Sequence, residues 1–382
     1  MKPWQRTIAL TIIVLILATI AYALYATTGG KSGGAGEGIE CDSITIYTYE
    51  SLLQWGDNPE AVWDAVFGAF ERDTGIKVNV VNFSDAGTAL NRALLDIQTG
   101  QEPPDIIIGL DNILVHKAKE KGVLEKYTPS NIDQINPELI QALDPEGYAI
   151  PYDYGLIALV YDSTKIPDNL MSNLTFQDLL TRTVLINGEE KRLVDLLVTE
   201  NPQTSSTGLS FLLWQIAVYQ HYELGDWTQW WRQGHPRVVE SWGDAYSLFP
   251  DPYPIVVSYG TDPAYSYHFY NDTKYKAALV WYNGKQVAWL QVEGIALLKD
   301  APHKECAKRF IDWFLSPSVQ KYIPLNNWMY PANTQVQLPK DYQYAINPSQ
   351  VELANQYLTT EEVATNVDNW IDTWLAAVGG QG

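Results

Sequence analysis

Tyr49 and Trp55, Trp242 and Tyr246, Tyr259, Tyr265 and Tyr267, and Trp328 with Tyr330 lie in stretches rich in Gly, Ser, Asp and Pro. A ring on such a polar turn has little core to fill and is better placed to meet a ligand. Aromatic faces hold flat, cationic or sugar-like molecules by stacking and cation–π attraction, each contact worth roughly 0.5–2 kcal/mol once water is excluded. With 14 Trp and 24 Tyr in 382 residues, few of these rings are expected in a core, and the loop-borne set is expected to line a binding site. Carboxylates are plentiful, 45 Asp and Glu against 25 Lys and Arg, yet no pair stands out as a glycosidase acid and base.

Motifs of covalent and phosphoryl chemistry are missing. The sequence has no G-x-S-x-G elbow, no G-x-x-x-x-G-K-[ST] phosphate loop and no H-E-x-x-H zinc helix. The histidines, His116, His221, His235, His268 and His303, are scattered without metal-ligand spacing, and only His268 falls among the loop aromatics. No catalytic, metal or cofactor set emerges, so a binding protein is expected rather than an enzyme. The net charge of −20 argues against nucleic acid and anionic lipid surfaces as partners and mildly favours a cationic ligand.

The elements that must position these rings begin after an export signal. Lys2 and Arg6 precede an almost wholly apolar run, Ile8 to Ala26, close to the roughly 20 residues a bilayer span requires. Residues 1–26 read as a signal sequence or signal-anchor, with the basic flank left in the cytoplasm and the remainder exported. Residues 27–42 read as a Gly-rich tether outside the fold. Cys41 lies 15 residues past the apolar run, too far for a lipoprotein box, and its pairing with Cys306 is left open by the sequence.

From Ser43 onward strands and helices alternate. Ile44 and Ile46 mark a strand; Asn58-Pro59-Glu60 opens a helix that Gly75 closes; Ile76, Val78 and Val80 mark the next strand. A helix over about 88–99 and the apolar run Ile106-Ile107-Ile108 follow. This order predicts right-handed crossovers and an open α/β sheet, with ligands outside the carboxyl ends of its strands. A second α/β set is expected from about Gly155, with a strand at Leu156–Tyr161, an aromatic helix at Leu209–Tyr222 and a core-facing helix at Lys304–Leu315.

Ordered segments along nearly all of the exported part resemble one family. They include Tyr47-Thr48-Tyr49-Glu50-Ser51, Gly109-Leu110-Asp111-Asn112, Thr204-Ser205-Ser206-Thr207-Gly208, Trp242-Gly243-Asp244-Ala245-Tyr246, Leu290-Gln291-Val292-Glu293 and, most specifically, Asn327-Trp328-Met329-Tyr330-Pro331. Together they resemble the solute-binding proteins of thiamine ABC transporters. The resemblance implies an α/β, two-lobed periplasmic-binding-protein fold, type II-like, with a ligand cleft between lobes. Residues 43–152 with about 264–315 would form lobe 1, and about 153–263 with 316–380 lobe 2.

Carried over by position, Asp85 and Ala86 would form one wall of the cleft and Ser205 with Ser206 another. Trp242, Tyr259, Gly260, Thr261, Asp262, Pro263, Tyr265 and Trp328 would line the rest, with Tyr49 and Trp55 at the lobe edge. The implied ligand is thiamine or a phosphate ester, delivered to an ABC transporter permease by a monomer held at the outer membrane face, with no cofactor. The aromatic faces suit a thiazolium cation. Ser205 and Ser206, ahead of a helix, would suit a phosphate. Two departures bear on this. Asp85-Ala86-Gly87 replaces the family's Asp-Gly, and Asp262 stands where Ser or Thr is usual, adding a charge that disfavours phosphorylated ligand if it faces the cleft.

Rival expectations are a polyamine binder of the same fold, with aromatic walls and acids; a ferric-ion binder using Tyr265, Tyr267 and His268; and a membrane-tethered extracellular glycoside hydrolase, which would turn over glycosides. Export is checked by cell fractionation. Full-length protein is expected at the outer face of the membrane, and recovery in the cytoplasm would sink the export reading.

Overall fold

Three strand–helix units build the first half of the sheet. Strand β1 (Ser43–Tyr49) turns Ile44 and Ile46 fully into the core. Helix α1 begins at Pro59–Trp63, where Asn58 Oδ1 accepts the Ala61 N–H, and runs through one π-turn, Asp64–Gly68, into Ala69–Thr74. Gly75, at φ +74°, closes it in the left-handed region that glycine tolerates. Strand β2 (Lys77–Phe83), helix α2 (Ala86–Thr99), strand β3 (Ile106–Asp111) and helix α3 (Leu114–Glu120) follow. Both β2 and β3 lie parallel to β1 on opposite sides, so the strand order reverses beside β1, the place where open α/β sheets bind ligands. The computed structural model describes residues 41–379.

The second half comprises β4 (Ile150–Asp162), β5 (Leu197–Glu200), α4 (Ser206–His221), α5 (Thr228–Gly234), β6 (Arg237–Val239), α6 (Trp242–Ser247), β7 (Ile255–Tyr259), α7 (Asp262–Tyr270) and β8 (Tyr275–Ala278). Strand β9 (Leu290–Leu298), helix α8 (Lys304–Phe314) and the terminal helix α9 (Thr360–Gly379) complete the path. The main path of the large sheet has the order β2-β1-β3-β9-β4-β7-β5-β6. Two long strands make it continuous. The start of β4 pairs antiparallel with β9, and its end, from Ile157 to Tyr161, pairs with β7. The α/β expectation holds, with the crossing segments in β4 and β9.

Several expectations change. The signal and most of the tether, 1–40, lie outside the described residues. Cys41 and Asp42 belong to the folded body: Cys41 forms a disulfide with Cys306 on α8, and Asp42 O accepts the Lys77 N–H. The segment 264–289, expected in lobe 1, is bonded to the second half, because β8 pairs with the far end of β4. Part of the segment expected in lobe 2 sits with the first half. Asn326 O accepts the Trp55 N–H, Ala332 O accepts the Asn136 N–H, and Asn333 Nδ2 donates to Leu315 O.

The expectation that few aromatic rings serve a core is also overturned. Trp214, Trp230, Trp231 and Trp289 are among the largest fully buried side chains. Helix α4 is the reason: every residue from Ser206 to Tyr219 is buried, so it needs bulky partners on all sides. Trp230 and Trp231 on α5 meet edge to face at 5.0 Å, and Trp231 meets Trp374 on α9 at 5.6 Å.

The Cys41–Cys306 bridge closes a loop of 265 residues, and such cross-links typically stabilise by about 2–4 kcal/mol. Reductant should lower the melting temperature of the wild type and leave a Cys41→Ser/Cys306→Ser double variant, already lower, unchanged. Equal melting of the oxidised and reduced wild type would refute the bridge.

Candidate functional site

The carboxyl end of β1 delivers Tyr49 to the switch point. Its ring lies against Gly109 on β3, where a Cβ would stand 2.5 Å from the tyrosine ring; only glycine leaves that space. Tyr49 Oη donates to Glu293 Oε2 at 2.9 Å and lies 2.8 Å from Tyr152 Oη. The turn after β1 carries Trp55 over the gap between the two halves. Trp55 meets Trp242 at 5.2 Å, Tyr246 at 5.7 Å and Tyr265 at 6.1 Å, each edge to face. Trp242 stands at the start of α6, whose N-cap Ser241 accepts the Asp244 N–H, and its indole N–H donates to Ser258 Oγ at 2.9 Å.

Trp328 closes the ring of aromatics. It sits at φ +54°, an uncommon conformation for a bulky residue. Its indole N–H donates to Trp55 O at 2.9 Å, and its ring meets Tyr265 at 5.2 Å. Together these rings enclose a cavity of about 300 Å³, at the small end of the usual range for small-molecule sites.

Four carboxylates line this cavity, Glu50, Asp85, Asp262 and Glu293, and among the described residues no Lys, Arg or His does. Asp85 is the N-cap of α2, accepting the Gly87 N–H, and its Oδ1 also accepts the Ser206 N–H of α4 at 3.3 Å. That bond crosses from the first half to the second. Burial pushes the Asp85 carboxyl up to about 7 against the pull of these N–H groups. Asp262 opens α7 and faces the cavity, with Oδ2 lacking a hydrogen-bond partner among the described residues. Burial raises it to about 7 as well, partly offset by the Ser258 hydroxyl and the Tyr259 N–H. Tyr49, Tyr246 and Tyr259 are pushed well above the usual phenol range by burial, which keeps their hydroxyls neutral.

The structure brings Tyr49, Trp55, Asp85, Ala86, Ser206, Trp242, Tyr259, Asp262, Tyr265 and Trp328 to the one cavity. It does not bring Ser205, Gly260, Thr261 or Pro263 there. Ser205 is the N-cap of α4, its Oγ accepting the Gly208 N–H at 3.4 Å, and it faces a separate cavity of about 130 Å³ against α3 and α9. Gly260 is tied to β4 through Leu156 O and packs under Ile346, while Thr261 and Pro263 are buried in the turn that aims Asp262 and Tyr265. The phosphate grip expected at the start of α4 is altered accordingly, because the Ser206 N–H already serves Asp85.

Sequence reasoning missed Gln54, Thr207, Asn327 and Glu293 as lining residues, and Tyr246, named among the loop aromatics, was absent from the positions carried over from the family. Tyr246 lies one helical turn after Trp242, a spacing that puts both rings on one face. Glu293 carried a stronger cue: it is the one charged residue in the otherwise uncharged run Leu290–Leu298, and charges are rarely buried without a purpose. The Tyr265, Tyr267 and His268 trio does not converge. Tyr267 packs against Tyr344 at 4.1 Å with the rings tilted by 34°, and His268 sits between Asp341 and Asp57 at 3.1 and 3.3 Å.

A family model described as bacterial extracellular solute-binding protein matches residues 55–321. The thiamine-binding periplasmic protein of Brucella suis biovar 1 is 32% identical over 365 residues, covering 95% of this chain and 98% of that protein. The protein of the same description from Escherichia coli K12 is 31% identical over 348 residues, covering 88% and 93%. The solved structure of a periplasmic thiamin binding protein superimposes with a TM-score of 0.70 at 28% identity, covering 91% of this chain and 99% of that one. The chain therefore belongs to the thiamine-binding periplasmic proteins, within the bacterial extracellular solute-binding protein family.

Proposed function

We propose that this solute-binding protein captures free thiamine in the aromatic cavity and presents it to an ABC transporter permease, performing no chemistry on it. One observation carries the reading: five rings, Trp55, Trp242, Tyr246, Tyr265 and Trp328, converge on a space lined by four carboxylates and, among the described residues, no basic side chain. A permanent flat cation suits both features, since ring faces and carboxylates attract it together in a site of low dielectric. The aminopyrimidine of thiamine finds hydrogen-bonding partners of both kinds in Tyr259, Thr207 and Gln54. The related periplasmic thiamine-binding proteins support the same ligand. The protein acts as a monomer at the outer membrane face, held there by the segment 1–26. Tyr49, Trp55, Asp85, Trp242, Asp262, Tyr265 and Trp328 are the proposed contact residues.

Free thiamine is favoured over its phosphates. The Ser206 N–H at the start of α4 is engaged by a carboxylate of the protein itself, and Asp262 adds a second negative group at the cavity wall. A polyamine remains the competing cation, because carboxylates and aromatic walls also suit it.

Thiamine should quench or shift tryptophan fluorescence and raise the melting temperature, since it binds only the folded protein. If spermidine does so at millimolar concentration and thiamine and its phosphates do not, the polyamine reading replaces this one. Trp242→Ala and Trp328→Ala should each weaken binding by roughly 1–3 kcal/mol, the scale of a lost stacked ring. A variant that melts early yet binds normally per folded molecule would return its tryptophan to the core. Asp262→Ser should improve thiamine monophosphate relative to thiamine by about 1 kcal/mol, one partly screened charge repulsion. An unchanged ratio would remove Asp262 from ligand selection.

A further inference from the structure

Three carboxyl groups occupy one rung of the sheet. Glu293 on β9 is paired with Asp111 on β3 on one side and with Asp153 on β4 on the other. Residues directly opposite in antiparallel strands project to the same face. All three are buried, with Asp111 and Asp153 fully so. Their surroundings are neutral donors. Tyr49, Tyr152 and Gln291 donate to Glu293; Asn327 Nδ2 donates to Asp153 Oδ2 at 2.5 Å; the Ile113 and Leu114 N–H groups donate to Asp111 Oδ1. No Lys, Arg or His is paired with any of them among the described residues. Asp153 Oδ1 has no hydrogen-bond partner there.

We propose that Asp153 and Glu293 share one proton while the cavity is empty and release it when a permanent cation enters, so that the pair passes from one negative charge to two only on the ligand's arrival. This rests on the cationic ligand of the preceding section. Two neighbouring buried carboxyls cannot both ionise without a cation, and such a pair titrates as a unit. Burial, followed by the neighbouring Glu293 charge, holds Asp153 well above the usual carboxylate range, and burial raises Glu293. Asp111 is pushed to about 7 by burial against its two N–H donors. The other titratable groups facing the pair are Asp85, across the cavity, and the phenols of Tyr49, Tyr152, Tyr259 and Tyr342, all raised by burial and therefore neutral.

Glu293 lines the cavity and Asp153 does not. A cation at the wall favours the ionised form of Glu293, the O–H bond of the shared carboxyl breaks, and the proton passes to bulk buffer with no electron transfer. The sign follows: binding favours the deprotonated pair, so affinity falls as pH falls through the titration of the empty protein and levels off above it.

The test uses the full-length protein. Thiamine is titrated calorimetrically in phosphate and in Tris, buffers of different protonation enthalpy, across the neutral range. The expected result is proton release that falls by up to about one proton per thiamine bound in Asp153→Asn and Glu293→Gln, while any release from Asp85 and Asp262 at the cavity wall is lost separately in Asp85→Asn and Asp262→Asn. Infrared difference spectra of the empty protein at neutral pH, wild type minus Asp153→Asn, should show a protonated carboxyl band. Equal heats in both buffers, or release undiminished in Asp153→Asn, overturns the proposal. Absence of the infrared band overturns it even if thiamine fails to bind, and failure to bind alone refutes the ligand reading instead.

Discussion

Buried negative charge without a paired cation is the constraint around which this protein is arranged. Strands β4 and β9 carry Asp153 and Glu293 to the point where the two halves of the sheet meet, and β3 adds Asp111 on the same rung. Taking one ion out of water costs several kcal/mol unless it is paired, hydrogen-bonded or neutralised. The fold meets that cost with neutral donors from four separate strands and segments: Tyr49 from β1, Tyr152 from β4, Gln291 from β9 and Asn327 from the chain that returns after α8. These donors tie the crossing strands to the first half. The place where the sheet is most firmly hydrogen-bonded through side chains is also the floor of the cavity.

The aromatic residues divide by the same logic. Rings without carboxylates nearby, such as Trp214, Trp230 and Trp231, fill the space around α4 and act as ordinary core. Rings beside carboxylates sit at the edge of the halves, Trp55 and Trp328 on turns and Trp242, Tyr246 and Tyr265 on the short helices α6 and α7, and make edge-to-face contacts with one another. Edge-to-face packing holds a ring in place through its positive rim, and a rim so engaged leaves the negative face for a cation. Residue type alone does not separate these groups. What separates them is whether the ring packs around the wholly buried α4 or is carried to the edge of the halves.

Much of this was legible in the sequence, for physical reasons specific to each segment. The first half could be read because its strands alternate or run apolar and its helices carry their own caps, Asn58 before α1 and Gly75 after it. Trp242 and Trp328 could be placed because they interrupt polar turns. The lobe membership of 264–289 and 316–334 could not be read, since it depends on which edge of the two crossing strands each segment joins, and both edges are equally apolar in sequence. The core tryptophans were misjudged because a helix buried on every side, such as α4, has no polar stripe to reveal how much volume must surround it. Ser205 and Ser206 looked alike as neighbours, yet one caps α4 and turns away while the other faces the cavity.

The start of α4 shows how one backbone position can decide between ligands. A helix N-terminus carries unsatisfied N–H groups and about half a positive charge, and it ordinarily attracts phosphate. Here Asp85 reaches from the first half to take the Ser206 N–H, while Ser205 Oγ takes the Gly208 N–H. The helix end is thus partly satisfied by the protein's own groups, one of them ionisable. A phosphate arriving there would have to displace a carboxylate and then lie beside it, at a cost in both hydrogen bonding and repulsion. A cation meets no such conflict, because the carboxylate that blocks an anion attracts it. The same bond joins the two halves across the cavity, alongside the contacts of Trp55 with Trp242 and Tyr265. The carboxylate that competes with an anion for the helix end therefore also lies where the two halves meet.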